Sequence, residues 1–159
     1  LLASVLATPS VAQGDRNYNS RDDGLTLICW GEGRKPGTGV STGYSYDSGR
    51  HKFVPQTYLH STTQQFDSEV QLEFNDGRGR IHLTGKLIPP INSGGSNGWW
   101  DLNDVSFGSD TINAQYRLNG LNKPRVVIDR RSGRIKIDGI EKFRGECDQG
   151  NWGRRANKF

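Results

Sequence analysis

The chain has 159 residues, a formal net charge of +4, 21 glycines and only 32% hydrophobic residues. That size suits one domain with a thin core. No run of about 18 apolar residues occurs, which excludes a helical membrane span, and neither coiled-coil heptads nor the period of a helical repeat array is present.

Residues 1–12, LLASVLATPSVA, are apolar and small, and the polar QGDRNYNSRDDG follows at once. Ser10 and Ala12 stand at −3 and −1 of a cut before Gln13, where signal peptidase requires small side chains. The stretch lacks a charged leading region and the chain contains no Met. The reading is therefore a signal-peptide remnant over 1–12 that enters partway through its apolar core. A flexible segment is expected over 13–24, a β domain over 25–148 and a polar tail over 149–159. The expected compartment is periplasmic or extracellular.

Two cysteines, Cys29 and Cys147, lie near the two ends of the mature chain, and no C-x-x-C is available for a redox pair or a zinc ribbon. In an oxidising compartment two such cysteines pair; the alternative is two separate buried thiols. A bridge closing a loop this long stabilises by about 4–5 kcal/mol on the chain-entropy account, which matters for a thin core.

In chain order, the recurring pattern is alternation of period two, the mark of strands with one buried and one wet face. Leu25, Leu27 and Cys29 form the first inward set. Residues 31–50, with six glycines, read as a long connection or short irregular strands. Val70, Leu72 and Phe74 form the next set and Ile81 and Leu83 another, joined by the hairpin signal Asn75-Asp76-Gly77. Residues 89–98 read as a Pro-to-Gly loop leading into Trp99-Trp100. Ile112, Ala114, Tyr116 and Leu118 follow, then Val126 and Ile128, a turn ending at Gly133, and Ile135 and Ile137. The regular spacing predicts an all-β fold, a single antiparallel meander forming a small closed or partly open β-barrel, with a β-sandwich as the alternative. A Cys29–Cys147 bridge would put the first and last strands side by side or facing, which fits either.

Catalytic signals are sparse. His51, His60 and His82 show no metal-ligand spacing and read as surface histidines, and no G-x-S-x-G elbow occurs. Gly31-Glu32-Gly33 lacks the helix a phosphate loop needs. No metal and no cofactor are expected. Asp101 and Asp104 beside Trp99-Trp100 are the one carboxylate pair that could serve a glycosidase. On a strand one of Trp99 and Trp100 faces inward and the other outward; the outward one could stack on a sugar or a partner, joined by Trp30, Tyr44, Tyr46 and Tyr58. Residues 117–158 hold 12 Lys/Arg against 5 Asp/Glu, with Arg130, Arg131, Arg134 and Lys136 as outward candidates for a polyanion; the competing reading is a solvated face.

The stretch VVIDRRSGRIKIDG (126–139), followed by FRGECDQG (143–150), resembles the ending of small exported bacterial β proteins of unassigned function, in which an I-D-R-x-S-G turn and a final F-x-G-x-C recur. The resemblance implies an exported small β domain and supplies no active-site residues. The plan of a Cys-tethered small barrel also looks like that of bacterial lysozyme inhibitors, without a residue-by-residue match. Together these readings predict a non-enzymatic, exported, disulfide-stapled β domain that binds a cell-envelope component or partner protein through Trp99, Trp100, Arg130, Arg131, Arg134 and Lys136. It is expected to bind no nucleic acid, to span no membrane and to be a monomer. The alternatives are a hydrolase of envelope polysaccharide and a periplasmic inhibitor of an envelope-targeting enzyme, the latter inserting a protruding loop, 89–98, into its partner.

Overall fold

A computed structural model describes residues 24–150; the expected signal remnant, most of the segment 13–24 and most of the tail lie outside them. Eight strands follow one another: β1 (Leu25–Asp47), β2 (Lys52–Asn75), β3 (Arg78–Leu83), β4 (Trp99–Phe107), β5 (Thr111–Gln115), β6 (Arg125–Asp129), β7 (Arg134–Asp138) and β8 (Lys142–Gln149). Each pairs antiparallel with the next, and β8 returns to β1, so a single meander sheet closes in a ring. The expected all-β meander forms, and as one sheet rather than the two of a sandwich. One 3-10 turn (Gly85–Leu87) is the only helical element among the described residues, and no described helix is long and apolar enough to cross a membrane.

The alternation seen in the sequence builds the core. Leu27, Cys29, Val70, Leu72, Phe74, Ile81, Leu83, Ile112, Ala114, Val126, Ile128, Ile135 and Ile137 all point into the ring and are buried. Phe143 from β8 and Trp100 and Leu102 from β4 fill the remaining space. Asp76 and Gly77 both have positive φ, 50° and 73°, the backbone of a two-residue hairpin turn whose twist matches its strands.

The seam between β1 and β8 is the closure, and two features of the sequence make it. Cys29 and Cys147 are register partners, and their sulfurs are bonded. Two residues along, Gly31 opposes Gly145. A Cβ on Gly31 would come within 2.1 Å of the Arg144 carbonyl oxygen, and one on Gly145 within 2.3 Å of that of Trp30. Only glycine lets the two backbones approach so closely there.

Because strands alternate in direction, the ring has two distinct ends. One carries the short turns 75–78, 107–111 and 129–134. The other carries the 84–98 loop, the 116–124 loop, the 139–141 turn and the outer part of the β1–β2 hairpin. This second end is fastened by polar contacts. Asn119 Nδ2 donates to the Ile91 carbonyl at 2.9 Å and Ser93 N–H to the Leu118 carbonyl at 2.7 Å. Buried Asn122 donates to Glu141 and accepts from Ile140 N–H. Burial, then the neighbouring Glu141 charge, drive the Tyr116 hydroxyl far above its ordinary pKa, so it stays neutral in the core.

Candidate functional site

The β1–β2 register runs without interruption from Leu25↔Phe74 to Asp47↔Lys52. The ring uses only the lower part of it: β8 covers β1 as far as Arg34↔Lys142, and β3 covers β2 as far as Val70↔Leu83. Beyond those points the two strands leave the ring as a two-stranded arm. Thirteen residues of β1, 35–47, give it a length of about 40 Å. Residues 31–50, expected as a long connection or short irregular strands, therefore belong mostly to one continuous strand. The protruding element is this arm, not the 89–98 loop, which is held at Ile91 and Ser93 by bonds to Asn119, Leu118 and Trp100.

The two faces of the arm differ. On the face continuous with the ring interior, glycines of β1 lie under large side chains of β2. A Cβ on Gly33 would meet the Phe66 ring at 2.3 Å and one on Gly39 the His60 ring at 2.5 Å; Gly37 lies against Gln64 and Gly43 against Tyr58. Aromatic side chains laid across glycines restore the contact area a glycine-rich strand lacks. Lys86 of the 3-10 turn places its ammonium 5.7 Å from the Phe66 ring, bracing the base of the arm. The opposite face carries an apolar stripe. Val40 opposes Leu59, Tyr44 opposes Pro55, and Tyr46 opposes Phe53, the last two rings packed edge to face at 5.3 Å. Val40, Tyr44, Tyr46, Phe53 and Leu59 are 53–75% exposed. At ordinary aromatic side-chain areas the three rings alone offer roughly 400 Å², comparable to the largest apolar patch on a typical monomer. From 36 to 46 and from 53 to 66 there is no Asp, Glu, Lys or Arg.

Exposed Ile91, Leu121 and Ile140 stand on the loops at the same end of the ring as the arm. The tip is closed by Asp47, whose Oδ1 accepts the N–H groups of Gly49 at 3.0 Å and Arg50 at 3.2 Å.

The residues expected to bind lie elsewhere. Trp100 points into the ring, is 4% exposed, and donates its indole N–H to the Ser93 carbonyl at 3.1 Å; it has no surface to offer a ligand. Trp99 faces outward, but Arg80 lies over its ring at 4.5 Å and the His82 ring lies 5.0 Å away. Arg80 is held in turn by Glu73 at 2.6 Å. His82, expected as a plain surface histidine, is half-buried against Trp99, its Nδ1 without a hydrogen-bond partner. Trp30 donates to Glu69 on the outer wall of the ring, and Tyr58 lies over Gly43 on the arm's other face. Of the expected aromatic patch, only Tyr44 and Tyr46 share a surface.

The basic hairpin sits at the far end of the ring from the arm. Arg131 pairs with Asp110 at 2.8 Å, Lys136 with Asp138 at 2.7 Å, and Arg130 donates to the Gly108 carbonyl at 2.9 Å. Arg134 opposes Glu146, and Arg144 opposes Glu32. Its cations are interleaved with carboxylates as on a solvated face. Asp129 accepts the N–H groups of Arg131 and Ser132. Those backbone bonds, that of Ser132 first, hold its carboxyl below the ordinary range. Asp101 lines a shallow recess of 340 Å³ with Arg80, Asn97 and Trp99; Asp104 does not share it and is exposed at the irregularity in β4. Among the described residues no group of three His, Cys, Asp or Glu is placed to hold a metal ion. Comparison with family models, curated proteins and solved structures found no match.

Proposed function

We propose that this chain is an exported binding protein that makes its contacts through the β1–β2 arm, with a cell-envelope protein as the target of the apolar stripe. The observation that carries this reading is the stripe itself: Val40, Tyr44, Tyr46, Phe53 and Leu59 exposed together on an element that lies outside the core it could have joined. An isolated two-stranded ribbon is at best marginally stable in water, so a sequence that extends one this far gains from having it covered. Tyr and Phe supply large contact area at low entropic cost, and aromatic residues dominate the energetics of protein interfaces. The Cys29–Cys147 bond supports the export part of the reading, since such bonds persist in oxidising compartments. On the inhibitor alternative, the element inserted into the partner would be the arm and not the 89–98 loop.

Retention on the immobilised oxidised chain tests this. Envelope proteins, purified peptidoglycan and lipopolysaccharide are each passed over wild type, Tyr44→Ser/Phe53→Ser, and Arg130→Ala/Arg131→Ala/Arg134→Ala. The reading predicts a retained protein that is released by the stripe variant and unaffected by the arginine variant, its direct binding then confirmed with the purified component. Retention that depends on the arginines and not on the stripe overturns it.

A further inference from the structure

The arm has free edges as well as a free face. We infer that the outer edge of β1 in the arm pairs antiparallel with the same edge of a second copy of this chain, forming a two-fold dimer around a four-stranded sheet ordered β2-β1-β1-β2. This rests on the reading of the arm as the contact element and assigns its edge, leaving the stripe for another partner.

The backbone fixes which groups are available. Cys147 N–H bonds the Gly133 carbonyl on the side away from β1, so Cys29 and Cys147 form a non-hydrogen-bonded pair and Cys29 turns its own N–H toward β2. Along β1 the odd-numbered residues then bond to β2, and the even-numbered ones point outward. Above Arg34, where β8 ends, Thr38, Val40, Thr42, Tyr44 and Tyr46 present unpaired N–H and C=O groups. Pro36 and Pro55 both fall where the missing N–H would face outward, so neither breaks the β1–β2 ladder. Pro36 marks the base of the β1 edge, and the run from 37 to 46 has none of the lysines, prolines or bulges that natural proteins use to blunt an edge.

Charge selects the register. Lys35 stands at the base of the arm and Asp47 at its tip, on the same face, with no formal charge between them along β1. Asp47 opposes Lys52 and lies 3.8 Å from Arg50 within its own hairpin, in a pair exposed enough to be shared with an incoming Lys35. A self-pairing centred on Ser41 sets Lys35 of each copy against Asp47 of the other. It also places Tyr46 beside Pro36, Tyr44 beside Thr38 and Val40 beside Thr42 across the new seam. The antiparallel pattern yields about ten backbone hydrogen bonds over 36–46, the number a standard interface carries. The β2 edge offers no equivalent. Its charges, Asp67 at the base and Lys52 at the tip, are of opposite parity, and an antiparallel pairing of identical edges opposes only residues of like parity.

Sedimentation of the oxidised chain tests the inference. The wild type is expected to be a dimer at micromolar concentration. Thr42→Pro, which removes an outward N–H while leaving the β1–β2 bonds in place, should weaken it roughly tenfold or more; Thr57→Pro, the same change on the β2 edge, should not. Lys35→Asp and Asp47→Lys should each be monomeric alone and dimerise when mixed, because each copy then restores the other's pairs. A monomeric wild type, or a dimer broken by Thr57→Pro and not by Thr42→Pro, overturns the inference. A monomer that still loses its retained partner in the stripe variant separates failure of the dimer from failure of the binding role.

Discussion

Cys29 and Cys147 face each other across the seam where the last strand meets the first, and the bond between them spans 118 residues of sequence. It locks a closure that hydrogen bonds and the Gly31–Gly145 approach already define, so its effect falls on the unfolded chain. Replacing both cysteines by serine should lower the unfolding free energy by about 4–5 kcal/mol and leave the ring intact. Urea titration of the double variant measures it; a loss below about 1 kcal/mol would mean the unfolded chain is already held together without the bond.

The two adjacent tryptophans should behave as opposites. Trp100→Ala empties a buried site and should cost about 3–5 kcal/mol. Trp99→Ala removes a surface ring stacked under Arg80 and should cost about 1 kcal/mol. Equal losses in chemical denaturation would contradict their assignment to opposite faces of β4.

Asn122 joins the 116–124 loop to the 139–141 turn from a buried position. Asn122→Ala leaves the Glu141 carboxylate without its donor and the Ile140 N–H without its acceptor, and should cost about 2–3 kcal/mol. The loss should appear as faster amide exchange at Ile140; a variant with unchanged exchange there would show that water replaces both bonds.

Acid should loosen the basic hairpin before the rest of the ring. Asp129 is lowered by the backbone N–H groups it accepts, and Asp138 by its side-chain bond to Lys136, each from an ordinary 3.8. A carboxyl lowered in the folded state contributes stability above its unfolded value, and that contribution is lost as the pH falls through the folded one. Protection of the Arg131 and Ser132 amides, measured against their intrinsic exchange rates at each pH, should therefore fall below about pH 4, and Asp129→Asn should remove that pH dependence at those two sites. Protection that stays constant down to full protonation would contradict the sign.

The ring was readable in the sequence because its strands obey one rule. From Leu27 to Ile137 every second residue is apolar where a core waits to receive it, and Asp76-Gly77 supplies the turn chemistry. The arm was not, because it has no core: its inner face carries Gly37, Gly39 and Gly43, with Gly33 just below its base, and the side chains that cover them come from β2, between 15 and 33 residues away. Glycine at alternate positions was the available signal, and it reads as a loop until the pairing with Phe66, His60 and Tyr58 is known. Likewise Trp99, Arg131 and Lys136 looked free because sequence does not show the Arg80 that covers the first, the Asp110 that pairs with the second or the Asp138 that pairs with the third.

The central claim is that contacts are made by the arm and not by the opposite end of the ring. A photo-crosslinking residue placed at Tyr44, and separately at Arg131, in the chain as made by its producing cell tests this most directly. The account predicts covalent adducts from position 44, including one at twice the chain's mass, and none from position 131. Adducts from position 131 alone would contradict it.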